Sequence, residues 1–140
     1  MDSFFYTKEF LQDEQRLKGR KRQQLKVVAS SLLSFGAYSL TNQVTYQEQG
    51  IPFVRAVNMK DGMLDFSDTL YITEKAHKLL WKSEVHPYDI LLSMSGTVGR
   101  VAIASPDYHY PMNSNQDIAK IHLREEYNPY YVYAFLRSRY

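Results

Sequence analysis

Residues 87–103, PYDILLSMSGTVGRVAI, decide how the chain is built. Pro87-Tyr88-Asp89 is a turn signal, since proline presets its own φ and aspartate bonds nearby backbone groups. The run from Ile90 to Met94 is apolar and of strand length, and reads as a central strand. Gly96 and Gly99 bracket a second tight turn, where backbone geometry calls for glycine. Val101 and Ile103 then alternate with a small residue, as half-buried strands do. Two core strands joined by a glycine turn form the centre of the expected fold.

Working outward, 51–57 (IPFVRAV) is a further strand signal, with Pro52 near its start where a missing N–H is tolerated. Lys60-Asp61-Gly62 is a turn, and a hairpin with 63–66 is expected. Thr73 caps a short helix in which Ala76, Leu79 and Leu80 form an inward stripe. Downstream, Ala119, Ile121 and Leu123 alternate as another half-buried strand. Asn128 is an N-cap with Pro129 at the first helical position, opening a helix whose Val132, Phe135 and Leu136 share a face. Upstream, 34–49 (SFGAYSLTNQVTYQEQ) carries hydroxyl, amide and tyrosine side chains and suits an irregular loop or short strands. The start, to about Leu33, reads as helical and polar: Thr7 caps 8–17, Gly19 breaks the pattern, and Leu25, Val28 and Leu32 recur at helical spacing. Strands and helices mix without a βαβ rhythm or an internal repeat. The expectation is therefore an α+β domain, a twisted mixed or antiparallel sheet flanked by helices, with 1–33 as a helical connector and 34–140 as the domain proper.

Composition narrows the function classes. The chain has 140 residues, 44% of them hydrophobic and 14% aromatic, enough for one sizeable core and too few for two. Cysteine is absent, which excludes disulfides, a thiolate nucleophile and Cys-based metal sites. Residues 1–10 (MDSFFYTKEF) lack a basic start followed by an apolar stretch, and no apolar run approaches a membrane span, so a cytoplasmic protein is expected. Charge is uneven. Arg16, Lys18, Arg20, Lys21, Arg22 and Lys26 fall together with no acid between them, leaving the rest of the chain net acidic. Such a run suits phosphate contact, and equally suits a solvated helix face.

The order of several separate signatures resembles the target-recognition domain of type I restriction-modification specificity subunits. They are Gly50-Ile51-Pro52-Phe53-Val54-Arg55, Asn58, Tyr71-Ile72-Thr73, Asp89-Ile90-Leu91-Leu92 and Gly96-Thr97-Val98-Gly99-Arg100, then Asn115-Gln116, Asn128-Pro129-Tyr130-Tyr131 and Phe135-Leu136-Arg137-Ser138. Together they cover 36–140. The same module is also found fused to adenine-specific DNA methyltransferases, and a complete specificity subunit carries two such domains, so the resemblance implies a half-subunit or a segment of something longer. It implies a prokaryotic, non-catalytic DNA-specificity component with no cofactor or metal of its own. Its partners would be double-stranded DNA, a methyltransferase subunit or fused methyltransferase domain, and a restriction subunit.

Catalytic alternatives find little in the residues. Asn128-Pro129-Tyr130-Tyr131 is similar to the Asn-Pro-Pro-Tyr-type motif that holds a flipped adenine, but lacks the second proline, and no Gly-rich cofactor loop accompanies it. Asp107, and Asp117 before Lys120, match no nuclease spacing. His77, His86, His109 and His122 are dispersed, without a metal-ligand pattern. The 93–100 turn lacks a Walker lysine and the geometry of a nucleophile elbow.

If the resemblance holds, phosphate contacts set register and loop side chains read base edges. Arginine bonds guanine bidentately, and asparagine or glutamine bonds adenine. On that chemistry the base-contact candidates are Arg55, Asn58, Ser95, Thr97, Arg100, Asn113, Asn115 and Gln116, with Tyr38, Ser39, Thr41 and Asn42 beside them. Lys18, Arg20, Lys21 and Arg22 are the phosphate candidates. Each also has a structural reading: Arg55 within a strand, and Asn113 to Gln116 bonding turn backbone. The alternative from another class is a protein-interaction module, or a degenerate specificity fragment, that reads no DNA sequence, with the tyrosine-rich helix of 130–140 and the basic segment of 16–26 binding a protein partner.

Overall fold

A computed structural model describes residues 8–33 and 43–138. In chain order the elements are α1 (Lys8–Leu17), α2 (Leu25–Val28), β1 (Ala29–Leu33), β2 (Ile51–Val54), β3 (Met59–Lys60), β4 (Met63–Leu64), β5 (Leu70–Ile72), α3 (Glu74–Leu79), β6 (Glu84–Val85), β7 (Ile90–Ser93), β8 (Val101–Ile103), β9 (Met112–Ser114), β10 (Ile118–Leu123) and α4 (Pro129–Arg137). The α+β class is as expected. No helix among the described residues is long and apolar enough to cross a membrane.

Two four-stranded sheets carry the domain. The first runs β1-β10-β7-β8, antiparallel throughout, with β7 inside it between β10 and β8. The second runs β5-β2-β9-β6 and is mixed, because β2 and β9 pair in parallel while the outer strands run against them. Leu91, Ala102 and Ile118 of the first sheet meet Val54, Val85 and Met112 of the second in one core cluster. The opposite face of the first sheet, with Ile90, Val101 and Ile121, packs on Val132, Tyr133 and Leu136 of α4. The opposite face of the second, with Phe53 and Ile72, packs on Ala76 of α3 and on Leu80 just after it. The layers are thus helix, sheet, sheet, helix.

This layering corrects part of the sequence reading. β8 and most of β10 are buried on both faces, where half-buried strands were expected. A sheet covered on both sides takes continuous apolar runs, which is why 90–92 reads as unbroken hydrophobe. Helix 8–17 forms as expected, whereas the helical reading to Leu33 fails after one turn: Ala29 is already extended (φ −78°, ψ 136°), and β1 joins β10 at the sheet edge. The hairpin is built from β3 and β4 around Asp61-Gly62, both at positive φ (49° and 82°), as a two-residue turn requires. Its expected partner, 51–57, ends as a strand at Val54 and pairs with β5 instead. Thr73 caps α3 by accepting the Ala76 N–H at 3.0 Å. Leu79 and Phe135, however, face solvent and leave the predicted inward stripes.

Candidate nucleic-acid interface

Between β7 and β8 the chain turns through 94–100, and all seven residues are exposed. Their base is clamped from below by buried Ser93, whose Oγ donates to the Thr97 carbonyl and accepts the Arg100 N–H at 2.9 Å. Gly99 N–H adds a bond to the Ser93 carbonyl at 3.0 Å. Gly96 and Gly99 hold positive φ (71° and 88°), so this turn needs them for backbone geometry. A hydroxyl core and two glycines therefore fix the loop's base while its side chains stay in solvent.

Hydrogen bonds join this loop to two segments remote in sequence. Met94 N–H donates to the Asp117 carbonyl at 2.7 Å, and Ser95 Oγ donates to the Asp117 carboxylate. The other carboxylate oxygen accepts Asn115 Nδ2 at 2.9 Å. Asn115 N–H in turn donates to the Val54 carbonyl at 2.9 Å, which places Arg55 next to the same turn. Arg100 Nη1 reaches across to the carbonyls of Ala56 and Met59, each at 3.3 Å. Arg55, Ser95, Thr97, Arg100, Asn115 and Gln116 thus come together on one polar edge of the domain.

Two other candidates are spent inside the fold. Asn58 is buried, accepts Arg55 N–H at 2.9 Å, and donates to the carbonyls of Asp65 and Asp68 at 3.2 Å each. Asn113 is fully buried, its amide nitrogen between His77 Nδ1 and the Leu80 carbonyl, both at 3.1 Å, and its oxygen on Ser114 N–H. Neither presents a free edge, so both leave the set of base readers. Arg55 is partly committed as well, donating to the Asp68 carbonyl at 2.8 Å. Lys18, Arg20, Lys21 and Arg22 are exposed after α1, and none of residues 11–17 of that helix joins the described core clusters. Tyr38, Ser39, Thr41 and Asn42 lie outside the described residues.

The structure also assembles groups that read as scattered. Buried Asp89 accepts a bond from His122 Nδ1 at 2.7 Å and from the His86 N–H at 2.8 Å, with the His86 ring 3.7 Å away. Lys120 lies in the same cleft, buried on β10, donating to Ser114 Oγ at 3.0 Å and the Ile118 carbonyl at 3.1 Å. Asp117 and Lys120 therefore point to different places and make no nuclease pair. Among the described residues no group of three or more His, Cys, Asp or Glu side chains is placed to hold a metal ion.

No protein-family model and no curated protein sequence matches the chain. Among solved structures it is similar to the HsdS subunit from Thermoanaerobacter tengcongensis, with a TM-score of 0.55 and 14% identity over 85% of this chain and 29% of that one. The fold is that of an HsdS segment. A chain from a structure describing complex assembly and conformational transition of the type I R-M system is similar too, with a TM-score of 0.59 and 14% identity over 90% of this chain and 34% of that one. The chain spans about a third of each of these neighbours.

Within this HsdS-like fold, Asn128 has an ordinary structural role. Its side-chain oxygen accepts the Tyr130 N–H at 2.9 Å and the Tyr131 N–H at 3.4 Å, capping α4 with Pro129 in the first turn. Asn128→Ala is accordingly expected to lower unfolding free energy by about 1 kcal/mol in a urea titration. An unchanged midpoint would contradict the cap.

Proposed function

We propose that the chain is the target-recognition module of a restriction-modification system: it binds double-stranded DNA by sequence and directs a methyltransferase or restriction partner to part of its site. The observation that carries this reading is the polar edge, where three loops remote in sequence are bonded together on an HsdS-like fold. Arg55 and Arg100 suit guanine, Asn115 and Gln116 suit adenine, and Ser95 and Thr97 suit either. Lys18, Arg20, Lys21 and Arg22 serve phosphates and set no word. Methyl transfer or cleavage belongs to the partners; the module supplies binding alone, with no cofactor.

The test is selection of a randomised duplex pool on the purified chain at near-physiological salt, followed by sequencing. Enrichment of one short asymmetric word is expected, and its absence overturns the reading. Exposed Tyr130, Tyr131 and Phe135 on α4 favour a second reading, docking on another protein through that helix. Salt separates the two: binding through several phosphates weakens steeply between low and moderate salt, whereas an apolar protein contact does not.

A further inference from the structure

Beside the polar edge lies a cleft of about 630 Å³, bounded by the β3–β4 hairpin, the end of the 94–100 loop and the last turn of α4. We infer that this cleft seats a backbone phosphate of DNA, held by the Arg137 guanidinium, with the positive charge of Arg100 beside it. The inference rests on the DNA-binding reading above and names a contact outside the 18–22 basic run.

Three cations line the cleft, Lys60, Arg100 and Arg137, against one carboxylate, Asp61. Their partners differ in a way that matters. Lys60 Nζ is paired with the Asp65 carboxylate, which offsets its charge. Arg100 bonds only neutral carbonyls in the described contacts, at 3.3 Å. Arg137 donates to the Tyr133 hydroxyl at 2.8 Å, its guanidinium 5.4 Å from the Tyr133 ring centroid. Both arginines are therefore held in place by neutral groups, and among the described residues neither makes an ion pair. A planar fork fixed in this way matches two phosphate oxygens and loses less side-chain freedom on binding.

The hairpin turn is shaped to admit Arg137. Tyr133 Oη donates to the Gly62 carbonyl at 2.9 Å, and a Cβ on Gly62 would overlap both that hydroxyl and the Arg137 guanidinium. Glycine here serves the turn and the close approach of the cation together. Concave walls of low dielectric concentrate the field of the two guanidiniums at the cleft mouth. Arg100 belongs to both the cleft and the polar edge, so a phosphate seated here would hold the base-reading loops in register against the groove.

The test compares the full chain with Arg137→Gln and with Asp61→Asn on two duplexes, the selected word and a scrambled one, over a range of salt. Arg137→Gln is expected to weaken both duplexes about tenfold, to reduce the slope of log K against log salt by about one, and to leave the selected word unchanged. Asp61→Asn removes the opposing carboxylate at a positive-φ position that asparagine tolerates, and should tighten both duplexes several-fold, a gain that misfolding cannot mimic. If wild type selects a word while neither variant changes affinity or slope, the cleft assignment is wrong and the recognition reading stands. A changed word in Arg137→Gln also overturns it, because the cleft would then touch bases. If wild type retains DNA without selecting a word, yet both variants behave as expected, the cleft stands and the recognition reading falls. No duplex binding at all removes both.

Discussion

Replacing Asp89 by alanine is expected to lower the unfolding free energy by about 3–5 kcal/mol, the range for removing one partner from a buried charged network. Asp89 is buried, and its two carboxylate oxygens serve groups from separate segments. One accepts the His86 N–H at 2.8 Å and so closes the turn into β7. The other accepts His122 Nδ1 at 2.7 Å and so ties β10 to that turn. Lys120, buried beside them, has its charge supported by the same carboxylate. Alanine would leave an N–H unbonded and an ammonium uncompensated, both out of water. Asp89→Asn should cost less, since its carbonyl still accepts the His86 N–H while the charge is lost. Urea unfolding near neutral pH measures all three proteins, and a loss under about 1 kcal/mol for alanine would sink the account.

The same residues mark where the sequence was readable. Asp89 was legible as a turn residue from Pro87-Tyr88-Asp89, because turn chemistry is local. Its role as the hub for His86, His122 and Lys120 was not, since His122 is 33 residues away and reaches it only through the β7–β10 pairing. The four histidines consequently read as dispersed. Length and apolar run identified β7, and the two glycines identified the exposed loop after it. The parallel pairing of β2 with β9, which sets Asn115 beside Arg55, has no sequence signature. Arg55, Arg100, Asn115 and Gln116 could be chosen by hydrogen-bonding chemistry alone, and so could Asn58 and Asn113. Only burial separates Asn58 and Asn113 from the other four. The misreadings at Leu79 and Phe135 share one cause: helical spacing of apolar residues finds a face, but exposed hydrophobes occur singly on any surface. Lys60 reads from sequence as a turn residue and Arg137 as part of a helix-end signature, because the cleft that unites them joins a hairpin to a helix that begins far downstream.

Raising the pH from about 7 to about 9.5 is expected to stabilise the protein by about 2 kcal/mol through Lys120 alone, an order-of-magnitude figure from proton linkage. Burial pushes its ammonium down to about 8 from an ordinary 10.5, with Asp89 opposing the shift. Between those two values the unfolded chain holds a proton that the folded chain has released, so stability rises with pH across that window. Below about 8 Lys120 is charged in both states and the whole desolvation penalty bears on the fold. Tyr110 sets the upper limit. Burial, with Asp89 and Tyr108 adding to it, pushes its hydroxyl up to about 12 from 10.0, so the unfolded chain ionises first and stability falls as pH rises from 10.0 to about 12. The stability curve should therefore peak near pH 10. Lys120→Met keeps the volume and the apolar stem, and should flatten the rise while leaving the fall. Urea unfolding of both proteins across this range decides the matter. A wild-type curve with no rise would mean that Lys120 keeps its proton in the fold, with water or Asp89 compensating its burial; a rise that persists in Lys120→Met would assign it to another group.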